Sequence, residues 1–301
     1  MGSPFIVVCG ARNVKTILTG EDVLVTINPS PVSKVVFGER ALSTSIGSAH
    51  SVHYRTTLRA FSSQNVARYS GRIADMLHQR VTDWCRRRHI YAVPELKRLI
   101  FEIGSEVILG FQFGSAETEK LLTEFDEFSA NFFSLNINLP GSGLWRALRS
   151  RDRLVTILRE NQSSERSCII DLDVNTESDA DKALELLFGM TETSVSAGAA
   201  MMTLVSQRRD VIARVRQEID DARRARRSEQ LESGSTPYVN GVVKEVLRLR
   251  PPVAGGFRTA LKTFQLDVST LTSSSYTMVN AHSHLAQTWV DVLTKRCHQL
   301  L

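Results

Sequence analysis

The 301-residue sequence is 42% hydrophobic and 23% charged, a composition that supports a buried core and excludes a wholly disordered chain. Its 17 glycines and 8 prolines are too few for a fibrous protein, and no stretch reaches the ~18 apolar residues that span a membrane. The formal net charge of +5 is small for this length and does not by itself indicate a nucleic-acid-binding protein.

Helical periodicity dominates the chain and predicts a mainly α fold with small strands at its margins. The first element is a predicted strand at Phe5–Cys9. Apolar residues at three- and four-residue spacing then predict helices with one buried face. These helices fall in residues 73–84, 96–107, 121–133 and 154–158. Near the end of the chain, two more strands are predicted at Phe264–Val268 and Tyr276–Val279.

The segment Asp181–Val205 is apolar and rich in Ala and Gly, which predicts a helix that is buried almost all round. Within it, Glu192, Thr193 and Ser194 place a carboxylate and two hydroxyl groups among apolar residues. A buried carboxylate must be hydrogen-bonded or used chemically. Gly189 leaves room for a flat group near the backbone. A polar seam where two helices cross explains the segment equally well.

Two further clusters combine charged and apolar residues. Glu245 and Arg248 have i, i+3 spacing and are expected to pair on one helix; such pairs usually lie on the surface, but the surrounding valines and leucines favour burial. His50–Arg55 is a basic and aromatic helix start, for which a solvated amphipathic face is the simpler interpretation.

The excess of arginine is concentrated in two clusters, at residues 86–88 and 223–227, which are interpreted as solvated helix ends or as a docking patch for an acidic partner. The four cysteines lie far apart, without C-x-x-C spacing, so we expect a reduced protein without a metal knuckle. The N-terminus lacks a basic region before its apolar run, and we therefore expect no targeting segment.

Five segments, in the correct order, resemble the cytochrome P450 superfamily, and most of all the retinoic-acid hydroxylases of animals. KEVLRLRPPVAGGFRTALKTF (Lys244–Phe264) is similar to the family's E-x-x-R helix and the strand after it. LLFGMTETS (Leu186–Ser194) resembles the oxygen-binding helix, [AG]-G-x-[DE]-T-[TS]. The other three are NFFSLNINLPGSGLWRALRSR (Asn131–Arg151), CGARNVKTILTGE (Cys9–Glu21) and the segment Arg59–Ser62.

The resemblance implies roles for residues of the apolar helix. Thr193 matches the threonine that hydrogen-bonds bound dioxygen, and Glu192 matches the acid that helps to bring protons in. Gly189 matches the small residue over the face of the haem. We take Glu192 and Thr193 as the catalytic residues that the resemblance implies.

Other positions are assigned to the cofactor and the core in the same way. Tyr54 and Arg55 lie where the family contacts the haem propionates, and Arg258 matches a basic residue that reaches a propionate. Glu245 and Arg248 match a buried pair whose role is structural. The resemblance also implies a set of residues that line the substrate cavity: Phe132, Phe133, Val253, Gly255, Gly256 and Phe257.

The sequence also departs from the family pattern. Met190 replaces a small residue, which predicts crowding in the oxygen-binding helix. The motif F-x-x-G-x-x-x-C-x-G, which supplies the haem thiolate, is absent, and Cys297 has neither its glycines nor its Phe. The likeness covers about residues 4–268 of a single domain, 1–301, with 269–301 a divergent tail. We therefore expect a truncated member, incomplete at its C-terminus, without the axial cysteine or any other metal ligand.

The resemblance implies a haem-thiolate monooxygenase that inserts one atom of O₂ into a C–H bond of a lipophilic substrate such as a retinoid. Its cofactor is haem, its electron donor is an NADPH-dependent reductase, and no nucleic acid takes part. Full-length members associate with the cytosolic face of the endoplasmic reticulum membrane. Activity of this chain is expected to be impaired. The alternative is a non-catalytic helical fragment that binds a lipophilic ligand or a protein; a basic nucleic-acid-binding protein ranks third.

Overall fold

The computed structural model describes residues 5–38, 41–161, 170, 172–226, 236–253, 255–267, 269–271 and 276–280. Two compact units are present: Asn28–Glu192 forms one, and Gly2–Ile27 with Thr193–Leu301 forms the other. The mainly helical fold class predicted from the sequence is confirmed. A single domain over residues 1–301 stays a prediction.

The helices account for most of the described chain. In order they are α1 Ala11–Thr19, α2 Pro31–Phe37, α3 Gly47–Ala60, α4 Ser63–Arg86, α5 Ala92–Glu102, α6 Ser115–Asn131, α7 Gly143–Glu160, α8 Glu177–Ser206, α9 Arg209–Arg226 and α10 Pro237–Leu249. A π-helical segment, Ile103–Ile108, directly continues α5. These bounds confirm four helices predicted from the sequence. The prediction at 73–84 corresponds to α4, and that at 96–107 to α5 with its π-helical continuation. The predictions at 121–133 and 154–158 correspond to α6 and α7.

Serine side chains begin several of these helices. Ser62 accepts a hydrogen bond from the backbone N–H of Asn65 at the start of α4. Ser142 does the same for Trp145 at the start of α7. Each serine satisfies one of the backbone donors that the first turn of a helix leaves unpaired.

The core of the first unit is built from aromatic and aliphatic side chains of α5, α6 and α7. Phe101, Phe125, Leu154 and Leu158 are essentially inaccessible to solvent. The rings of Phe101 and Phe125 lie 5.0 Å apart, at the distance and tilt that favour aromatic pairs. Burial of these side chains is the main source of stability for this unit.

The helix predicted at 181–205 forms as α8, but it is buried on one face and not almost all round. Its fully buried positions recur every three to four residues and include Ala180, Ala183, Leu184, Leu187, Thr191 and Val195. Gly189 and Ser196 are exposed on other faces of the same helix. Large apolar side chains such as Leu186, Met190 and Met202 are only partly buried or exposed, so apolar composition did not ensure burial all round.

Short strands in the second unit form two small sheets. The strands are β1 Phe5–Val8, β2 Val25–Ile27, β3 Gly255–Ala260, β4 Phe264–Leu266, β5 Ser269–Leu271 and β6 Tyr276–Asn280. One sheet has the order β1-β6-β3-β2, in which β1 and β6 are parallel, and β4 pairs with β5 in the other. The predicted strands β1, β4 and β6 are confirmed.

The start of α10 is held by a side chain of α9. Both carboxylate oxygens of Glu218 accept hydrogen bonds of 2.8 Å, from the backbone N–H groups of Tyr238 and Val239. A carboxylate at a helix N-terminus satisfies free donors and interacts favourably with the helix dipole. This contact fixes the helix that carries Glu245 and Arg248.

Candidate functional site

Gly189 lies on an exposed part of α8, near the middle of the helix. A Cβ atom built on it would meet no atom within 4 Å, apart from the backbone of its own helix and its chain neighbours. Glu192 and Thr193 follow three and four residues later, and at this spacing side chains lie near the same face of a helix. The helix thus presents a carboxylate and a hydroxyl group close to a stretch of uncovered backbone.

Met190, the residue predicted to crowd this helix, packs against the π-helical segment. Its Cε atom lies only 1.9 Å from the position that a Cβ atom of Gly104 would occupy. Any side chain at Gly104 would therefore displace the methionine. The missing side chain of Gly104 accommodates the bulk of Met190, and the space beside Gly189 stays open.

Glu192 forms an ion pair with a lysine that the sequence analysis did not identify. The Nζ atom of Lys97, on α5, lies 3.0 Å from Oε1 of Glu192 and 2.6 Å from Oδ1 of Asp126, on α6. Burial opposes the charge of Lys97, but hydrogen bonds to Asp126 and Glu192 outweigh it and raise the pKa of this amine above its ordinary value. Lys97 stands within an apolar stripe, so nothing in its spacing signals this role.

The predicted cofactor residues of α3 are exposed. Tyr54 is stacked on His50, with ring centroids 5.8 Å apart and planes inclined by 15°. The Nε atom of Arg55 donates to the carbonyl oxygen of Ser51, one turn earlier on the helix, at 3.3 Å. Both side chains face solvent, where their polar groups can reach an anionic ligand.

Arg258, the third predicted propionate ligand, is held by a carboxylate within the second unit. Its Nε atom donates to Oε2 of Glu21 at 2.7 Å, and its Nη1 atom donates to the carbonyl oxygen of Phe257 at 2.9 Å. Glu21 comes just before β2, which pairs with β3 so that Ile27 lies opposite Arg258. A ligand carboxylate at Arg258 would compete with Glu21 or add to it.

The residues predicted to line the substrate cavity differ widely in exposure. Phe132 is buried and packs on Phe188, with ring centroids 4.4 Å apart, whereas the side chain of Phe133 is 83% exposed. On β3 and just before it, Val253 and Phe257 are exposed and the glycines between them are half-buried. Phe132 therefore belongs to the core of the first unit, and Phe133 is the more accessible of the two.

The predicted contact between Glu245 and Arg248 is present on α10. Nε and Nη2 of Arg248 donate to the two carboxylate oxygens of Glu245, at 2.7 and 2.5 Å. The hydrogen bond to Glu245 outweighs burial and raises the pKa of Arg248. The side chain of Arg248 is only 9% exposed, so the bidentate bond satisfies donors that lie largely away from water.

Several of these residues have chemistry suited to the haem that the resemblance implies. Open space beside Gly189 fits a flat group, and on α3 the phenol of Tyr54 and the guanidinium group of Arg55 are donors of the kind that carboxylates require. In the second unit, the guanidinium group of Arg258 is a donor of the same kind. Cys9 and Cys85 are exposed free thiols, and Cys168 and Cys297 lie outside the described residues.

The described part of the chain contains neither a cluster of metal ligands nor a helix that could span a membrane. No group of three or more His, Cys, Asp or Glu residues there could hold a metal ion. None of the helices described is both long enough and apolar enough to cross a membrane. The expectation that the chain supplies no metal ligand stays a prediction.

Comparisons with known proteins point to one family. The family model described as Cytochrome P450 matches residues 148–273. Cytochrome P450 26C1 of Mus musculus is 32% identical, over 89% of this chain and 59% of its own length. Cytochrome P450 26A1 of Xenopus laevis is also 32% identical, over 88% of this chain and 60% of its own length. The chain therefore spans about 60% of the length of these relatives.

Solved structures share the fold. The structure of a retinoic acid-bound cyanobacterial P450, CYP120A1, matches 93% of this chain and 67% of its own with a TM-score of 0.81, at 22% identity. A second P450, CYP102L1, matches with a TM-score of 0.70 at 20% identity. Sequence relatives and fold agree: the chain is similar to cytochrome P450 proteins, and haem is the cofactor that this similarity implies.

Proposed function

We propose that this chain is the greater part of a haem-thiolate monooxygenase that hydroxylates a lipophilic substrate, with a retinoid as the preferred class. The observation that carries the proposal is the open space beside Gly189, followed one turn later on α8 by Glu192 and Thr193. The cytochrome P450 26 relatives support the reaction class. The retinoic acid in the structure of CYP120A1 supports the substrate class.

Haem supplies the oxidation chemistry when it is bound, and the protein supplies binding groups, orientation and protons. In this proposal Gly189 allows the flat group to approach the backbone of α8. Tyr54 and Arg55 of the first unit hold a propionate through hydrogen bonds, and Arg258 is assigned the same role by the resemblance alone. Glu192 passes protons on through its carboxylate oxygens, and the hydroxyl of Thr193 orients the reacting oxygen by hydrogen bonding.

The substrate contacts are proposed on the same basis. In the first unit Phe133, and in the second unit Val253 and Phe257, present accessible apolar side chains suited to a lipophilic molecule. The resemblance assigns Phe132, Gly255 and Gly256 to the same role. The whole protein is proposed to receive electrons from an NADPH-dependent reductase at the cytosolic face of the endoplasmic reticulum membrane.

We also propose that these 301 residues on their own catalyse the hydroxylation poorly. The sequence contains no F-x-x-G-x-x-x-C-x-G motif, and none of its four cysteines has the glycines that surround the thiolate ligand in the family. The 301-residue chain should therefore bind haem without a thiolate signature in the spectrum of its reduced carbon monoxide complex. A thiolate band that disappears in Cys297→Ala would contradict this part of the proposal.

Haem titration of matched glycine variants tests the cofactor site. Gly189→Leu should weaken haem uptake at least tenfold, because the side chain fills the space that the flat group needs. Gly71→Leu, on α4, is the control: Gly71 is also helical and exposed, and a Cβ atom there likewise meets no atom within 4 Å. Equal haem affinity in the two variants, or no uptake by the parent chain, would favour the non-catalytic helical protein instead.

A further inference from the structure

We propose that Glu185 is a positioning residue for the haem site, and that its carboxylate anchors the 41–46 loop beside Gly189. This loop comprises residues 41–46, in the connection between α2 and α3, and it leads directly into the helix that carries Tyr54 and Arg55. All of these residues belong to the first unit. The inference deepens the proposed function, on which it rests for the importance of the space beside Gly189.

Both carboxylate oxygens of Glu185 accept hydrogen bonds from the backbone of the 41–46 loop. The N–H group of Leu42 donates to Oε2 at 2.7 Å, and the N–H group of Ser43 donates to Oε1 at 2.6 Å. These partners are 143 and 142 residues away in the sequence, so the contact is made only in the folded chain. Two bonds from adjacent N–H groups to one carboxylate fix the direction of the loop as well as its distance from α8.

The 41–46 loop is closed on itself, so an anchor at one point constrains the rest of it. The hydroxyl group of Thr44 donates to the carbonyl oxygen of Gly38 at 2.6 Å, and the N–H group of Ser45 donates to the carbonyl oxygen of Ala41 at 2.9 Å. Ala41, Thr44 and Ser45 are all buried. Because closely packed segments move together, the anchor also constrains Gly47, the first residue of α3.

Helical spacing places this anchor next to the open space. Glu185 and Gly189 are four residues apart, so they lie on one face of α8, about 6 Å apart along its axis. One turn before Glu185, Asp181 pairs with Arg151, whose Nε atom donates to the carbonyl oxygen of Val36 in α2 at 2.8 Å. The chain from α2 to α3 is therefore attached at two successive turns of α8, and the second of these turns adjoins the uncovered backbone of Gly189.

Amide hydrogen exchange in the haem-free chain, followed by nitrogen-15 nuclear magnetic resonance, tests the anchor. Glu185→Ala removes both acceptors and should accelerate exchange at Leu42 and Ser43 about tenfold or more, because a hydrogen bond to a charged group contributes at least that much to an opening equilibrium. Exchange at the first hydrogen-bonded amides of α3 should also accelerate. Glu185→Gln keeps one acceptor and should give intermediate rates. Glu177→Ala, at an exposed position of the same helix, is the control and should leave these rates unchanged.

Haem titration of the same variants tests the positioning role. Glu185→Ala should weaken haem uptake about threefold to tenfold, because the apparent affinity falls with the fraction of molecules in which the loop and α3 are in place. Glu185→Gln should again be intermediate, and Glu177→Ala should match the parent chain. Leu158→Ala, which truncates a fully buried side chain of α7, should lower the unfolding temperature at least as far but change haem affinity by less than about twofold.

The two measurements separate the ways in which the proposal can fail. Unchanged exchange at Leu42 and Ser43 in Glu185→Ala would overturn the anchor. Faster exchange with unchanged haem affinity, or an equal loss of affinity in Leu158→Ala, would show a contact that only stabilises the fold and would overturn the positioning role. Absence of haem uptake by the parent chain would overturn the proposed function, and the role of Glu185 in haem binding with it. Because exchange is measured without haem, failure of the anchor and failure of the proposed function can be told apart.

Discussion

Two acid–arginine pairs in the second unit have the same spacing and opposite surroundings. Asp221 and Arg224 on α9 are three residues apart and 2.8 Å from each other, with side chains that are 59% and 74% exposed. Glu245 and Arg248 on α10 are also three residues apart, but their side chains are only 37% and 9% exposed. Spacing alone thus predicts the contact in both cases, whereas burial decides what each contact contributes.

The first unit shows the same contrast. Arg151 on α7 and Asp181 on α8 form an ion pair whose side chains are 17% and 13% exposed, and Arg151 also donates to the carbonyl oxygen of Val36 at 2.8 Å. Arg87 belongs to an arginine cluster and pairs with Glu95 at 2.6 Å, but its own side chain is 39% exposed. Buried pairs such as Arg151–Asp181 should be sensitive to mutation, and more exposed pairs such as Arg87–Glu95 should tolerate it better.

The largest effect is expected at α10. Glu245→Ala leaves the buried guanidinium of Arg248 without its bidentate partner and should lower the free energy of unfolding by about 3–5 kcal/mol. Urea denaturation followed by circular dichroism measures the loss. Glu245→Gln, which keeps an acceptor, should lose less. A loss below about 1 kcal/mol for Glu245→Ala, the magnitude typical of exposed pairs, would remove the distinction between the two pairs of the second unit.

A slightly smaller effect is expected at Arg151. Desolvation raises the pKa of Asp181, while Arg151 partly counteracts it. Arg151→Met should therefore cost about 2–4 kcal/mol near pH 7, where Asp181 is left charged and uncompensated. Because the raised pKa favours the protonated form in the folded state, the loss should shrink as the pH is lowered. Urea denaturation at several pH values measures this, and a loss that grows at low pH would contradict it.

Glu95 should give a moderate effect that depends on pH. Its hydrogen bond from Arg87, opposed by desolvation and assisted by Trp84, lowers the pKa of Glu95 to about 2. Stability from a lowered carboxyl pKa is present above the ordinary value, near ~4.3, and is lost as the pH falls towards the folded value. Glu95→Gln should cost about 1 kcal/mol at pH 7.

In thermal unfolding experiments, the difference in unfolding temperature between Glu95→Gln and the parent chain should shrink as the pH falls from ~4.3 to about 2. Asp75→Asn, on an exposed part of α4, is the control and should show no comparable dependence on pH. A difference that stays constant down to the lower value would show that the Glu95 carboxylate contributes no charge-dependent stability.

The smallest effect is expected at the exposed pair of α9. Asp221→Asn should change the free energy of unfolding by less than about 0.5 kcal/mol, because both charges are well solvated. Added salt should remove even this difference by screening. A loss as large as that of Glu245→Ala would mean that helical spacing, and not burial, sets the contribution of these pairs.

Much of the fold was predictable because it depends on local patterns. Apolar periodicity identified α4 to α8, and alternating or β-branched residues identified β1, β4 and β6. The strand β3 was recognised only through the resemblance, since Gly255 and Gly256 interrupt the usual strand composition. The burial of α8 was overestimated, because composition does not show which face of a helix meets the core.

The candidate site was predictable only where its residues lie close together in the sequence. Glu192 and Thr193 are neighbours, and Glu245 and Arg248 share one helical turn, so the sequence by itself determined these pairs. The partners Lys97, Glu21 and Gly104 come from distant parts of the chain, and only the tertiary structure decided them. The physical reason is that local hydrogen bonding and periodicity act over a few residues, whereas ion pairs and close packing depend on which elements the folded chain brings together.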